Sequence, residues 1–180
     1  MSKSFSVRKL CFAAMLLALG LILPQAFHMV GGQAVSSILL PMHIPVLICG
    51  LLLGGSYGAA VGCLTPLLSC VLLGMPPVAI LPFMVAELMV YGWISGLLGK
   101  RIPLYPALIA AQVAGRIAYA IALFIGGTLL GMPCAAPVSV IASAASGLPG
   151  LVIQWVFVPV LVKLLRRTLP ETGEVCVTTR

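Results

Sequence analysis

Residues 39–82 read LLPMHIPVLICGLLLGGSYGAAVGCLTPLLSCVLLGMPPVAILP, and no Asp, Glu, Lys or Arg interrupts them. Two apolar segments meet in this stretch at a glycine pair, which predicts a tight reversal between two helices. Glycines recur at every fourth position, at Gly50, Gly54, Gly58 and Gly62. Small residues at that spacing let helix backbones approach closely in a bilayer, where lipid supplies no hydrophobic drive for association. The stretch therefore predicts a compact helical hairpin inside a membrane.

The composition of the whole chain indicates an integral membrane protein. Of its 180 residues 62% are hydrophobic and only 7% are charged, whereas soluble domains are about a quarter charged. The apolar segments do not alternate with polar residues as the strands of a membrane barrel do, so we expect an all-α fold. We expect one domain over 1–180, with a polar tail from about 168 to 180. The six predicted transmembrane helices cover 10–23, 38–53, 57–73, 80–98, 104–130 and 148–165.

The basic residues predict the orientation of this bundle. With both termini in the cytoplasm, nine of the ten Lys and Arg residues fall on the cytoplasmic side, and the tenth is Arg116. The three connections then placed outside, 24–37, 74–79 and 131–146, contain no Lys or Arg. We read the first of them as a polar loop, because Pro24 is expected to end the first helix. The net charge of +7 thus reports membrane topology rather than nucleic-acid binding.

Two charges lie within the predicted spans, Glu87 in the fourth and Arg116 in the fifth. Ionised groups in hydrocarbon are costly and usually pair or line a cavity. Glu87 precedes Lys100 by 13 residues and Arg116 follows Pro103 by 13, which puts both about 20 Å from the same turn. The pattern predicts a salt bridge between them, ligand contact by one or both, or both roles at once.

Several polar and aromatic residues accompany these charges. Helical spacing places Gln112, Arg116 and Tyr119 on one face of the fifth segment, and Glu87 and Tyr91 on one face of the fourth. Trp155 lies in the sixth segment about two turns from its outer end, where a packing role is an equal alternative. A pocket formed by segments four, five and six would have aromatic walls and a few convergent polar groups, as small-molecule sites do. The residues that accompany Glu87 and Arg116 are Tyr91, Gln112, Tyr119 and Trp155.

The sequence contains no pattern typical of a metal site or an enzyme. His28 and His43 lie near the predicted outer face without neighbouring carboxylates, and the six cysteines have no metal-finger spacing. We find no nucleophile–base motif and no phosphate-binding loop. We therefore expect no catalysis, no metal and no cofactor in this chain, and any energy from ATP would come from another subunit.

Two blocks of the sequence resemble a known family. The segment FAAMLLA at residues 12–18 places Ala14 and Ala18 in a small-x-x-x-small pattern, and LLPMHIPVLICGLLLGGSYGAAVGCLTPLL begins at Leu39. Together with chain length and predicted topology, they resemble the substrate-binding S components of energy-coupling factor (ECF) vitamin transporters, in the folate- and pantothenate-type branch. The resemblance covers nearly the whole chain.

The resemblance implies a mechanism and a location. An S component binds a water-soluble vitamin or precursor from outside the prokaryotic cytoplasmic membrane, docks on a coupling subunit through the Ala14 and Ala18 face, and relies on two ATPase subunits that use ATP. The family's pocket maps by position to Glu87, Tyr91, Gln112, Arg116, Tyr119 and Trp155. The outer residues His28, Gln33 and His43 join that set as further candidates.

Alternatives remain open from the sequence alone. The chain could be a self-sufficient proton-coupled carrier that acts as a dimer with Glu87 carrying the proton, although no internal repeat supports this. A membrane-embedded enzyme or an assembly partner is a third possibility. The ligand is equally open: Arg116 suits a carboxylate or phosphate, whereas an Arg116 neutralised by Glu87 suits an uncharged ligand such as a pyrimidine.

Overall fold

The computed structural model describes residues 7–129 and 147–168, and the secondary structure in those ranges is helical, without strands. The all-α prediction is confirmed for this part of the chain. The described helices are α1 (Val7–Leu39), α2 (His43–Leu53), α3 (Gly55–Leu73), α4 (Leu81–Leu98), α5 (Leu104–Leu129) and α6 (Leu148–Thr168). The predicted outer connection 131–146 lies outside the described residues.

Five of the described helices contain a segment long and apolar enough to cross a membrane. The predicted span 38–53 corresponds instead to the short helix α2, which has 11 residues. At 1.5 Å per residue α2 is about 16 Å long, roughly half of a hydrocarbon core. Helical geometry is interrupted before it at Leu40, which has φ 48°, ahead of Pro41. The count of six spans therefore stays a prediction.

The predicted end of the first helix at Pro24 is wrong. Helix α1 continues through Pro24 to Leu39, with one non-helical residue at Gly32 (φ 70°, ψ −173°). A proline removes one backbone hydrogen bond, but neighbouring helices make this tolerable in a membrane bundle, and Pro24 is buried against them. Residues 25–37, predicted as a polar loop, are thus largely helical and bring α1 over the start of α2.

Glycines allow α2 and α3 to pack directly on α4. Gly54 (φ 103°) makes the predicted reversal between α2 and α3. A Cβ atom at Gly58 would overlap the backbone carbonyl of Gly92, and one at Gly62 would overlap that of Leu88. The backbones of α3 and α4 are therefore in contact, and the close approach predicted from the glycine spacing is confirmed.

Helix α2 forms the centre of the bundle and contacts α1, α3, α4 and α6. Val46, Leu47 and Leu51 are completely buried in it. By contrast, α5 exposes a stripe of large aliphatic side chains at helical spacing, including Ile109, Val113 and Ile117. Exposed aliphatic stripes of this kind suit contact with lipid acyl chains. The short helix is thus shielded by the longer ones, and its first residues lie beside the cavity described next.

Candidate ligand-binding cavity

A cavity of about 290 Å³ lies between the middle of α1, the start of α2, the α3–α4 turn, α4 and α5. Its volume is at the lower end of small-molecule sites. Its apolar wall comes from prolines, methionines, a leucine and an isoleucine: Pro24, Leu40, Pro41, Met42, Met75, Pro76, Pro77, Ile80 and Met84. Its polar wall consists of Gln25, His28, His43, Ser69, Glu87, Arg116 and Tyr119.

The two membrane charges meet at this cavity. Arg116 Nη1 lies 3.3 Å from Glu87 Oε1, as expected from their equal distance to the α4–α5 turn. The Glu87 side chain is 5% exposed and that of Arg116 is 21% exposed. The predicted salt bridge is confirmed, and both partners also line the cavity. Glu87 and Arg116 can therefore pair with each other and still face a ligand in the cavity.

His43 lies at the same carboxylate. Its Nε2 is 3.7 Å from Glu87 Oε1, and its ring packs edge-on against Tyr91 with centroids 4.9 Å apart. We predicted His43 as a candidate pocket residue near the outer face, and the structure places it as the buried first residue of α2, in the cavity wall. The first residue of α2 thus places an imidazole at the centre of the polar cluster.

Several buried polar atoms of this cluster have no hydrogen-bond partner among the described residues. They are His43 Nδ1 and Nε2, Glu87 Oε1, Tyr91 Oη, and Arg116 Nε and Nη2. Leaving such a group unsatisfied costs about 1–3 kcal/mol, so native structures rarely bury several together without a reason. The cluster is arranged as a site whose polar groups would be completed by a bound molecule.

The aromatic residues predicted for the site take two positions. Tyr91 is fully buried behind His43, and its ring occupies the space that a side chain at Gly115 would fill. Tyr119 lines the cavity and packs edge-on against Phe83 at 6.4 Å. Tyr119 is therefore placed to touch a ligand, whereas Tyr91 supports the residues that would.

Gln112 and Trp155 are brought together at a different place. Trp155 Nε1 donates to Gln112 Oε1 at 2.7 Å, and Gln112 Nε2 donates to Gln154 Oε1 at 3.0 Å. None of the three lines the cavity, and their hydrogen bonds join α5 to α6. A role for Gln112 and Trp155 in ligand binding stays a prediction.

Four further predicted residues differ in their placement. His28 lines the cavity, but from helix α1 rather than from a loop. Ala14 and Ala18 are exposed on one side of α1. The side chain of Gln33 lies outside the described residues. In the part of the chain that the structure describes, no three His, Cys, Asp or Glu side chains cluster as metal ligands would.

Sequence reasoning missed the contribution of α1 and of the α3–α4 turn. Gln25 and Ser69 line the cavity, as do the Met75-Pro76-Pro77 residues of the turn. One signal was present: Gln25 and Ser69 are polar residues next to long apolar runs. Their convergence depends on the continuation of α1 past Pro24, which the sequence alone did not indicate.

The chain was also compared with known proteins. The family model described as the ECF transporter, substrate-specific component, matches residues 8–167. The comparisons with curated proteins and with solved structures gave no match. The family match covers every described helix apart from single terminal residues, and its members are transporter components rather than enzymes. The chain therefore belongs to the family of substrate-specific components of ECF transporters.

Proposed function

We propose that this chain captures a water-soluble vitamin or vitamin precursor from outside the prokaryotic cytoplasmic membrane for ATP-driven uptake. The family membership makes it the substrate-binding subunit of an ECF transporter. The observation that carries the finer proposal is the cavity at which buried polar atoms of Glu87, Arg116 and His43 have no hydrogen-bond partner among the described residues. A mostly apolar cavity with a few convergent polar groups suits a small heterocyclic molecule.

The proposed ligand contacts are the predicted residues that line this cavity. Glu87, Arg116 and Tyr119 reach it from α4 and α5, and His28 and His43 reach it from α1 and α2. Tyr91 supports His43 from behind. The folate- and pantothenate-type branch, and direct contacts by Gln33, Gln112 and Trp155, remain parts of the proposal that rest on the sequence resemblance alone.

The proposed partners are one transmembrane coupling subunit and two ATPase subunits. Ala14 and Ala18 support the docking surface, because both are exposed on α1 and leave a shallow face on which another helix could pack closely. ATP is used by the partner subunits in this proposal, and this chain contributes no cofactor. The topology proposed with it has six spans and cytoplasmic termini, supported by Lys100 and Arg101 in the α4–α5 turn.

The experiment that tests the proposal is identification of the ligand that travels with the protein. The full chain is purified in mild detergent and denatured, and the released small molecules are identified by mass spectrometry. A vitamin or precursor in near-stoichiometric amount is the expected result. A preparation without ligand, followed by no thermal stabilisation from any water-soluble vitamin, would contradict the proposal.

Reconstitution separates this function from a self-sufficient carrier. Vesicles that contain the chain with a coupling subunit and two ATPase subunits should accumulate the identified ligand only when ATP is present. Vesicles that contain the chain alone should not respond to a proton gradient. Gradient-driven uptake by the chain alone would replace the proposal with a proton-coupled carrier in which Glu87 carries the proton.

A further inference from the structure

The charges around the cavity are already balanced before any ligand binds. Glu87 is the only acidic residue of the chain before position 171, and its partner Arg116 lies 3.3 Å away. No other Asp, Glu, Lys or Arg is among the residues that line the cavity in the described part of the chain. The Asp, Glu, Lys and Arg side chains of the cavity wall therefore carry no net formal charge.

A charged ligand would disturb this balance. A carboxylate or phosphate bound to Arg116 would lie next to the Glu87 carboxylate, and a cationic ligand bound to Glu87 would lie next to the guanidinium. The rest of the wall, including Pro76, Pro77 and Met84, contains no Asp, Glu, Lys or Arg side chain among the described residues that could pair with an added charge. The opposed pair therefore discriminates against ions of either sign.

The same pair matches an uncharged ligand of a particular kind. The Arg116 guanidinium can only donate hydrogen bonds, and the ionised Glu87 carboxylate can only accept them. Arg116 Nε and Nη2 have no hydrogen-bond partner among the described residues, and Glu87 Oε1 lies 3.3 Å from Arg116 Nη1 without a hydrogen bond. An amide, a lactam or a urea presents one acceptor beside one donor, because its carbonyl oxygen and its N–H are attached to neighbouring atoms. Such an edge would pair with Arg116 and Glu87 at the same time.

We infer that the ligand is an uncharged heterocycle or amide whose adjacent acceptor and donor bind Arg116 and Glu87 respectively. This inference rests on the proposed function, since it takes the cavity to be the substrate site. His43 also lies at this carboxylate, with its Nε2 3.7 Å from Glu87 Oε1. The volume of about 290 Å³ suits a ligand of one or two rings.

The test uses matched pairs of probes that differ in charge. The uncharged probes are nicotinamide, uracil, pyridoxine and pterin, and their anionic partners are nicotinate, orotate, pyridoxine phosphate and pterin carboxylate. Binding to the full chain in detergent is measured by thermal shift and by tryptophan fluorescence. We expect at least one uncharged probe to bind about tenfold more tightly than its anionic partner.

Variants of the pair show whether charge balance causes the preference. Glu87→Gln leaves Arg116 without its counter-charge, so the ratio of anionic to uncharged affinity should rise about tenfold or more. The double variant Glu87→Gln with Arg116→Gln is the matched control: it removes both charges and both proposed ligand contacts, so all probes should bind more weakly and the ratio of anionic to uncharged affinity should not rise as it does in Glu87→Gln alone. If Glu87→Gln does not fold, Arg116→Gln provides the mirror test with 1-methylnicotinamide, whose methylated ring nitrogen makes it a cation, as the probe.

Each result decides the inference. Tighter binding of an anionic probe by the wild type, no binding of any uncharged probe, or an unchanged preference in Glu87→Gln would overturn it. A co-purified vitamin that carries a net charge would overturn the inference and leave the proposed function intact. If no probe binds and no molecule co-purifies, the proposed function falls as well.

Discussion

The Glu87 carboxylate lies close to both an arginine and a histidine side chain. Arg116 Nη1 lies at 3.3 Å and His43 Nε2 at 3.7 Å from the same carboxylate oxygen. These three side chains belong to three different helices, α5, α2 and α4. Their contact ties the helices together inside an apolar bundle, where a charge left alone is strongly unfavourable. These three side chains therefore stabilise the contact between helices and also line the cavity.

Removing one member of the pair should destabilise the fold more than removing both. Arg116→Gln or Glu87→Gln leaves a buried charge without its partner, and we expect a loss of about 3 kcal/mol in the free energy of unfolding. The double variant should lose less than either single variant, because it leaves no charge without its partner. Denaturant titration in mild detergent measures all three, and additivity within about 0.5 kcal/mol would contradict the coupling.

The hydrogen bond from Trp155 should contribute to the stability of the α5–α6 contact. Trp155→Phe keeps most of the ring but removes the donor to Gln112 Oε1, so we expect a loss of about 1–2 kcal/mol. Phe157→Leu, at a position that is 56% exposed on the same helix, should change stability by less than about 0.5 kcal/mol. Equal melting temperatures of Trp155→Phe and wild type would show that the bond contributes nothing.

At the scale of helices, glycine spacing decides how closely α3 and α4 pack. Gly58 and Gly92 face one another across the contact, and a Cβ on either would overlap backbone atoms of the other helix. Backbone overlap cannot be relieved by a change of rotamer, so the helices would have to move apart. Glu87 and Tyr91 are on α4, and such a movement would also displace them from His43.

Gly58→Ala should therefore destabilise the protein by about 3 kcal/mol, the upper part of the range for overpacked cores. Ser56→Ala, two residues earlier at an exposed position of α3, is the control and should stay within about 0.5 kcal/mol of wild type. Thermal melts in detergent compare the two. A Gly58→Ala protein as stable as Ser56→Ala would show that the α3–α4 distance is not limited at this glycine.

At the scale of the whole molecule, the cavity and the proposed docking face are separate surfaces. The cavity is lined by residues of α1 to α5 and the turns between them, whereas Ala14 and Ala18 are on the exposed side of α1. A change on that side leaves the cavity wall intact. The two activities of the proposed transporter subunit should therefore be separable by mutation.

Ala14→Trp or Ala18→Trp should abolish uptake into cells or vesicles that contain the coupling and ATPase subunits. Affinity of the purified chain for the identified ligand should change by less than about threefold, which is under 1 kcal/mol. Ala60→Trp, an alanine exposed on α3, is the size-matched control and should transport normally. Normal uptake by both α1 variants would show that docking does not use this face.

Much of this architecture could be predicted from local patterns. The bounds of α3, α4 and α5 follow from apolar runs that end at Gly74, Gly99 and the described end of α5. The contact between Glu87 and Arg116 followed from equal counting along two antiparallel helices. These features depend only on helical rise and on short turns, so one sequence is sufficient to predict them.

The cavity was harder to predict for a physical reason. In water, polar and apolar faces of a helix indicate which side is buried, but in a bilayer both the core and the lipid are apolar. The sequence therefore did not show that α2 is central or that α1 continues past Pro24. We expected a pocket mainly from segments four to six, joined by His28, Gln33 and His43 from the outer side. The structure forms the cavity from α4 and α5 together with α1, the start of α2 and the α3–α4 turn, and none of its lining residues belongs to α6.

The sequence by itself determined the class of the protein, and it predicted close packing at the spaced glycines and a salt bridge as one of the possible roles of the two membrane charges. Composition, spacing and helical rise are local properties, and they carry that information without knowledge of the partner helices. Only the tertiary structure decided that His43 and Gln25 reach Glu87's cavity and that Gln112 and Trp155 bind each other instead. Those relations depend on which apolar faces meet, and lipid makes these faces chemically alike.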